Sequence, residues 1–446
     1  MDMTAALIIT ATIFVWGAVS ARLTAADLTA PIVFVAVGGV LAWVGLVDAP
    51  SAPETLKPLV ELALVWLLFS DAARIPLREV RRDFALYVRL LAVGLPLTVL
   101  AGWGLAAWLL PGLGLWLALL VAAALAPTDA ALGVPVVTNP AVPSRVRRLI
   151  AVESGLNDGI VTPVVMLALA GAASAERIEG ASGLWEAAAE LAIGAGLGAA
   201  VGLAGGWLLR QARRRGWAAE DFAGIAVLAL AIAAYAGAVV LHGNGFVAAF
   251  CGGLAFGATA GRRGSAELAF LEQAGGLLSL LVWLAFGAIA IPIIVDRVDI
   301  TMVLYAVLSL TLVRMVPVAL AAVGSGLDRD TILFAGWFGP RGLASLVFAL
   351  LALEELGAGA EVAVSVIGLT VLLSVLAHGF TAAPLAARYG KAAAARGLEL
   401  GGPVPDIPIR ALPRGLSRTT THGAGLSSPA VGSEAPQETG EGDAAR

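Results

Sequence analysis

The feature that most constrains this chain is a succession of apolar stretches, each about 20 residues long, from the N-terminus to about residue 390. A helix of that length crosses a hydrocarbon core about 30 Å thick. Of the 446 residues, 59% are hydrophobic and only 13% are charged, whereas soluble domains are about 25% charged. The composition therefore argues against a soluble enzyme and predicts a polytopic membrane protein.

Inside a bilayer the backbone satisfies its hydrogen bonds only in helices or closed barrels. The stretches are rich in Ala, Leu, Val and Gly and lack the alternating pattern of barrel strands. We therefore predict an all-α fold with about 13 transmembrane helices, the first of which is retained and is not a signal peptide. The predicted spans are 5–21, 28–47, 58–73, 84–109, 113–137, 147–170, 184–209, 221–241, 244–260, 268–294, 300–323, 331–353 and 361–387.

Basic residues test this arrangement because cytoplasmic loops collect Lys and Arg. Alternate loops carry arginine clusters, such as Arg145, Arg147 and Arg148, while the remaining loops hold single basic residues beside acidic ones. The alternation predicts an outer N-terminus and a cytoplasmic C-terminus in the plasma membrane. Residues 1–390 form the predicted transporter domain, and the Gly-, Pro- and Ser-rich segment 391–446 is a predicted disordered cytoplasmic tail.

Charge and cysteine content exclude several classes of function. The net charge of −4 argues against a nucleic-acid partner, and the one cysteine, Cys251, excludes an internal disulfide or a cysteine metal cluster. We expect no cofactor, no catalytic residues and no enzyme activity. The expected partners are the lipid bilayer and small ions.

The fifth predicted span contains an interruption. Its sequence LAPTDAALGVPVV places Pro127, Thr128, Asp129, Gly133 and Pro135 well inside the span. Proline removes backbone hydrogen bonds and frees carbonyl groups, which line a cavity or are buried in protein when they lie at membrane depth. The pattern favours a broken helix with ion-binding carbonyls, and a simple proline kink is the alternative.

The sixth predicted span carries Glu153, Ser154, Asn157 and Asp158 within about two turns. At about 100° per residue, Ser154 and Asp158 share one face, and Glu153 and Asn157 share the neighbouring face. A carboxylate and a hydroxyl beside an unwound segment form the oxygen-rich site that a hard cation such as Na⁺ prefers. Asp158 is the predicted ion ligand, and the alternative is that it caps a helix.

Two arginines, Arg314 and Arg341, lie deep in later spans. A buried guanidinium requires a carboxylate or helix C-terminal carbonyls. We predict that Glu153, on the face not assigned to the ion, pairs with Arg341. Pro340 and its flanking glycines break the twelfth span, so the two broken spans stand at corresponding positions of two inverted halves, with a transport site between them.

Four motifs occur together in this chain: PTDAA, VESGLNDG, GPRGLASL and TVLLSVLAHGFTAAPLAARYG. In order and spacing they resemble the monovalent cation:proton antiporters of the sodium/proton exchanger branch, over about residues 5 to 390. The resemblance implies an inverted-repeat fold of 13 helices with discontinuous helices that cross at the midplane. It also implies a homodimer with a dimerisation part and a core part that moves to give alternating access.

The resemblance further implies roles for individual residues. Asp158 is similar to the carboxylate that binds a proton and a cation in turn, and Asn157 to its Asn-Asp partner. The remaining implied roles are cation ligands at Ser154 and Thr128, the acid of the unwound helix at Asp129, and a structural ion pair of Glu153 with Arg341.

Competition at one carboxylate predicts the exchange of one Na⁺ (or K⁺ or Li⁺) for one H⁺, which is electroneutral and serves pH homeostasis. A second hypothesis is an anion transporter in which Arg314 or Arg341 contacts substrate and Asp158 binds a co-transported Na⁺. A third is a membrane-embedded sensor or scaffold. An arginine in an open cavity without a nearby carboxylate would favour the second hypothesis.

Overall fold

The structure is a computed structural model that describes residues 3–25, 28–46, 53–75, 83–175, 184–261 and 264–397. Within these residues every regular element is helical, as apolar membrane-spanning segments require. The α-helices, numbered here in chain order, are α1 Met3–Ala25, α2 Ala30–Trp43, α3 Pro53–Ala73, α4 Phe84–Arg89, α5 Leu95–Leu109, α6 Gly114–Leu125, α7 Val134–Val137, α8 Ser144–Ala175, α9 Leu184–Arg214, α10 Glu220–Val240, α11 Gly245–Thr259, α12 Gly264–Arg297, α13 Ile300–Leu310, α14 Leu312–Ala321, α15 Arg329–Trp337, α16 Leu343–Leu356 and α17 Glu361–Ala395.

Each predicted span coincides with one of these helices or with a broken pair of them. Eight stretches of the described chain are long and apolar enough to cross a membrane, and α2, α6 and α11 are shorter apolar helices. The chain is therefore a multi-pass helical protein, and the number 13 stays a prediction. Helix α17 continues to Ala395, and most of the predicted tail, residues 398–446, lies outside the described residues.

The first of two groups of helices consists of α2, α3 and α9 to α12, which pack closely on one another. Glycines make the closest approaches. A Cβ on Gly198 of α9 would lie 2.2 Å from the carbonyl oxygen of Ala248, and one on Gly202 would lie 2.1 Å from that of Gly252. Small residues at four-residue spacing let helix backbones touch, which is the usual basis of helix packing in lipid.

The second group consists of α4 to α8 and α13 to α17 and contains the interrupted helices. Both predicted breaks are present: α6 ends at Leu125 before α7 begins at Val134, and α15 ends at Trp337 before α16 begins at Leu343. Two further irregularities had no clear sequence signal. A π-helical turn, Leu90–Gly94, joins α4 to α5, and Thr311 (φ −107°, ψ −90°) separates α13 from α14.

The two groups meet where α3 and α12 pack on α16 and α17. One continuous apolar cluster runs through both groups, and a second lies within the second group around α8, α15 and the end of α17. This arrangement buries the second helix break (residues 338–342) and leaves Asp129 to Leu132 of the first break partly buried.

Candidate cation and proton site

The two helix breaks contact each other directly. The Asp129 backbone N–H donates a hydrogen bond to the carbonyl oxygen of Pro340 at 2.7 Å. The Asp129 carboxylate accepts the backbone N–H of Ala131 at Oδ1 (2.8 Å) and the backbone N–H of Leu343 at Oδ2 (3.1 Å). Leu343 is the first residue of α16, so this carboxylate lies at the positive end of the α16 dipole.

Arg341 makes the reciprocal contact. Its Nη1 donates to the carbonyl oxygens of Ala126 (2.5 Å) and Pro127 (3.0 Å), which follow the last residue of α6. The side chain is fully buried, and its cation lies at the negative end of the α6 dipole, which carries about half an elementary charge. Each break thus supplies the charge that stabilises the helix end exposed by the other.

Glu153 pairs with Arg314 and not, as the sequence predicted, with Arg341. Glu153 Oε1 lies 2.6 Å from Arg314 Nη1, and the two side chains are only 6% and 3% exposed. Arg341 Nη1 is instead directed to the carbonyl groups at the end of α6. Gly339 leaves room for the other guanidinium, because a Cβ there would lie 2.6 Å from Arg314 Nε.

A buried cluster of oxygen and amide groups joins the first break to α8. Thr128 Oγ1 and Ser154 Oγ lie 2.8 Å apart, and Asn157 Nδ2 donates to Thr128 Oγ1 at 2.8 Å. Asn157 Oδ1 has no hydrogen-bond partner among the residues that the structure describes. The donors available here are hard oxygens, which suit an alkali cation.

Asp158 follows Asn157 on α8 and is buried. It lies well inside a helix that runs from Ser144 to Ala175, so it is not a helix cap. Hydrogen bonds therefore join Thr128, Ser154 and Asn157, and Asp158 is the residue that follows Asn157 on α8. The structure ties the Asp129 carboxylate to backbone N–H groups at the start of α16.

Ser374 and His378 on α17 support the second break, a role that sequence reasoning did not assign. Ser374 Oγ accepts the Arg341 backbone N–H at 2.7 Å. His378 Nε2 lies 2.9 Å from the Trp337 carbonyl oxygen, and the imidazole stacks on the Trp337 ring with centroids 5.1 Å apart. Their i, i+4 spacing indicated that Ser374 and His378 share one face of α17. It could not identify their partners, which lie at the second break.

A helical membrane protein in which two broken helices cross beside buried oxygen ligands is a secondary transporter. Residues 8–388 match the sodium/hydrogen exchanger family in its transmembrane region. The chain belongs to this family, and its activity is cation/proton antiport.

Two solved structures have a fold similar to that of this chain. The chain is similar to the sodium proton antiporter MjNhaP1 from Methanocaldococcus jannaschii at pH 8, with a TM-score of 0.72 and 19% sequence identity over 87% of this chain and 99% of that one. An electron-microscopy structure of the same antiporter matches with a TM-score of 0.64 and 17% identity over 87% and 98% of the two chains. At this identity the likeness shows the fold alone.

The anion-transporter hypothesis is not favoured. Arg314 has a carboxylate partner at 2.6 Å, and Arg341 is fully buried against peptide carbonyls. The feature that would have supported that hypothesis, an arginine in an open cavity, is not found for either residue.

Proposed function

We propose that the chain exchanges Na⁺ for H⁺ at Asp158, with Ser154 and Thr128 as further cation ligands. K⁺ and Li⁺ are alternative substrates of the same chemistry. The observation that carries the proposal is the buried Thr128, Ser154 and Asn157 cluster at the broken helix, one residue from a buried aspartate. The Asn157 amide nitrogen donates to Thr128, and its buried oxygen has no hydrogen-bond partner among the described residues, so it is available to a ligand.

Competition at one carboxylate accounts for coupling. Asp158 carries either one proton or one cation, so both loaded forms have the same charge. The empty, ionised form is costly to move through a low-dielectric barrier, which favours exchange over leak. Since Asn157 is neutral, we infer a stoichiometry of one cation per proton.

Asp129 has a supporting role in this proposal. Both of its carboxylate oxygens accept backbone N–H groups, from Ala131 and Leu343. These contacts stabilise the charged carboxylate at the start of α16 and fix the unwound segment that presents Thr128 to Ser154. We therefore assign to Asp129 the positioning of the site and to Asp158 the binding of ions.

The substitution Asp158→Asn tests the assignment. In proteoliposomes with a preset pH gradient, we expect added Na⁺, K⁺ or Li⁺ to collapse the gradient with the unaltered protein and not with the variant. Asp299→Asn, which removes a helix-capping carboxylate between α12 and α13, is the control and is expected to exchange normally. Exchange by a folded Asp158→Asn variant would remove Asp158 from the mechanism.

The stoichiometry has its own measurement. Electroneutral exchange predicts that Na⁺ addition to reconstituted membranes changes the internal pH without a steady electrical current, and that an imposed voltage leaves the rate unchanged. A robust voltage-dependent exchange current would contradict the one-to-one assignment while leaving Asp158 as the ion-binding residue.

We further propose a homodimer in the plasma membrane with an outer N-terminus. The alternation of arginine-rich loops along the sequence supports the orientation, and family membership supports the dimer. Labelling of cysteines introduced at Arg215 and at Val298 by an impermeant thiol reagent, in a background lacking Cys251, tests the orientation: only the second is expected to react from outside intact cells. Mass measurement of the purified complex tests the dimer.

A further inference from the structure

An apolar groove runs between α5 and the paired helices α13 and α14, on the side of α14 away from Glu153. Its volume is about 530 Å³. Leu100, Leu312, Val316 and Leu320 are 48–59% exposed there, so they face the surroundings of the protein. Both walls belong to stretches that are long and apolar enough to span a membrane. The lining of the groove includes Leu97, Leu100 and Trp108 on α5, Leu308 on α13, and Leu312 and Leu320 on α14.

The lining residues on the two walls reach opposite ends of the membrane span: on α5 they extend from Leu97 to Trp108, next to the helix end at Leu109. On α13 and α14 the groove begins at Leu320, next to the helix end at Ala321, and extends to Leu308. Twelve residues at about 1.5 Å each give about 18 Å, somewhat more than half of a hydrocarbon core about 30 Å thick. The part of the groove along α13 and α14 thus reaches from one end of the span to about its middle, which is the length of one acyl chain.

The positively charged side chain of Arg89 lies at the end of the groove next to Leu320. Arg89 Nη1 donates to the carbonyl oxygen of Val323 at 2.7 Å, one turn beyond Leu320. The other guanidinium N–H groups of Arg89 have no partner within the described part of the chain. A long side chain at this depth extends toward the membrane surface, where lipid phosphates lie.

We propose that this groove is a binding site for one anionic phospholipid, with its phosphate at Arg89 and an acyl chain along Leu320, Val316 and Leu312. The charge of Arg89 selects a lipid with a net negative headgroup, and the part of the groove next to Arg89 accommodates one acyl chain. The groove lies behind α14, and Arg314 of the same helix pairs with Glu153. The lipid therefore braces the helix that carries this ion pair.

The test compares two photoreactive lipids with the same acyl chain, a phosphatidylglycerol and a phosphatidylcholine, each carrying a diazirine near the chain middle. The full-length protein is reconstituted in vesicles that contain either probe, illuminated and digested, and the labelled peptides are identified by mass spectrometry. We expect phosphatidylglycerol to label the peptides around 97–104 and 308–320 about fivefold more than phosphatidylcholine, the preference that one arginine near an anionic surface confers.

Three variants isolate the site. Arg89→Gln is expected to reduce phosphatidylglycerol labelling to the phosphatidylcholine level, and Arg89→Lys to retain the preference. Val316→Trp fills the groove and is expected to reduce labelling by both probes. The matched control is Val239→Trp on α10, because Val239 and Val316 are similarly exposed, at 50% and 48%; it is expected to leave groove labelling unchanged.

Equal labelling by the two lipids, or a preference that survives Arg89→Gln, would overturn the proposal. The groove would then contact bilayer lipids without selecting an anionic one. The readout is lipid binding, so it does not depend on the transport mechanism. If Asp158→Asn transported normally while the labelling pattern held, the proposed function would fail and the lipid site would stand.

Discussion

The Glu153–Arg314 pair shows how strongly a buried charge depends on one neighbour. Both side chains are almost inaccessible, with 2.6 Å between Oε1 and Nη1. Burying two charges is costly, and their attraction offsets that cost only while both are present. Arg341, nearby, donates to peptide carbonyls, so Glu153 makes its ion pair with Arg314 alone.

At the residue scale we therefore predict that Arg314→Met destabilises the protein by about 3–5 kcal/mol, because it leaves the Glu153 carboxylate buried and unpaired. Adding Glu153→Gln to Arg314→Met is expected to restore much of the loss. Thermal melting of the purified variants in detergent measures both effects.

Arg297→Met is the matched control for this prediction. Arg297 pairs with Glu361, but these side chains are 44% and 26% exposed, and exposed pairs contribute about 0–1 kcal/mol. If Arg314→Met melted no lower than Arg297→Met, the Glu153–Arg314 contact would not have the stabilising role assigned to it.

At the scale of the element, the two broken helices form one unit. Asp129 lies at the start of α16 and Arg341 at the end of α6, so each break completes the hydrogen bonds of the other. The gap between them admits no side chain: a Cβ on Gly342 would lie 2.2 Å from Asp129 Oδ2. A methyl group at this position must displace the carboxylate from the helix end.

We predict that Gly342→Ala lowers the rate of Na⁺-driven pH-gradient collapse at least tenfold, because displacement of Asp129 shifts the unwound segment that presents Thr128. Folding should persist, since the change lies at a helix end and not within a helix. Gly379→Ala on α17 is the control, because a Cβ there meets no atom within 4 Å. A monodisperse Gly342→Ala protein with normal exchange would contradict this role of the crossing.

At the scale of the whole molecule, exchange by alternating access requires the two helix groups to move relative to each other. An ion pair links them: Lys57 Nζ of α3, in the first group, lies 2.6 Å from Glu354 Oε1 of α16, in the second. Such a link between partly exposed side chains is weak enough to break during the cycle. A covalent link at the same place would not break and would hold the two groups together.

We predict that joining Lys57→Cys to Glu354→Cys with a short, reducible bis-thiol reagent stops exchange in a Cys251→Ser background, and that reduction restores it. The control is Asp83→Cys with Arg145→Cys. These positions are also joined by an ion pair, of 2.7 Å, but both belong to the second group, and their cross-link is expected to leave exchange intact. Full activity of the first cross-linked protein would show that α3 and α16 stay together throughout the cycle.

Sequence reasoning located most of the fold and part of the site. Proline and glycine marked both breaks because their backbone effects are local, and apolar length marked the spans because the bilayer fixes it. The predicted partner of Glu153 was wrong. Helical periodicity gives the face on which a side chain lies and does not distinguish between two arginines in other helices. His378 and Ser374 were not placed at a break for the same reason.

The sequence by itself determined that the chain is a helical membrane protein, where its helices break and which polar residues must lie inside it, since composition, period and proline act within one segment. Only the tertiary structure decided that Arg314 pairs with Glu153, that Asp129 and Arg341 occupy opposite helix ends, and that Arg89 lies at one end of an apolar groove. These facts depend on which segments meet in space, and the energy of a buried charge is set by its neighbours across helices, which no single segment encodes.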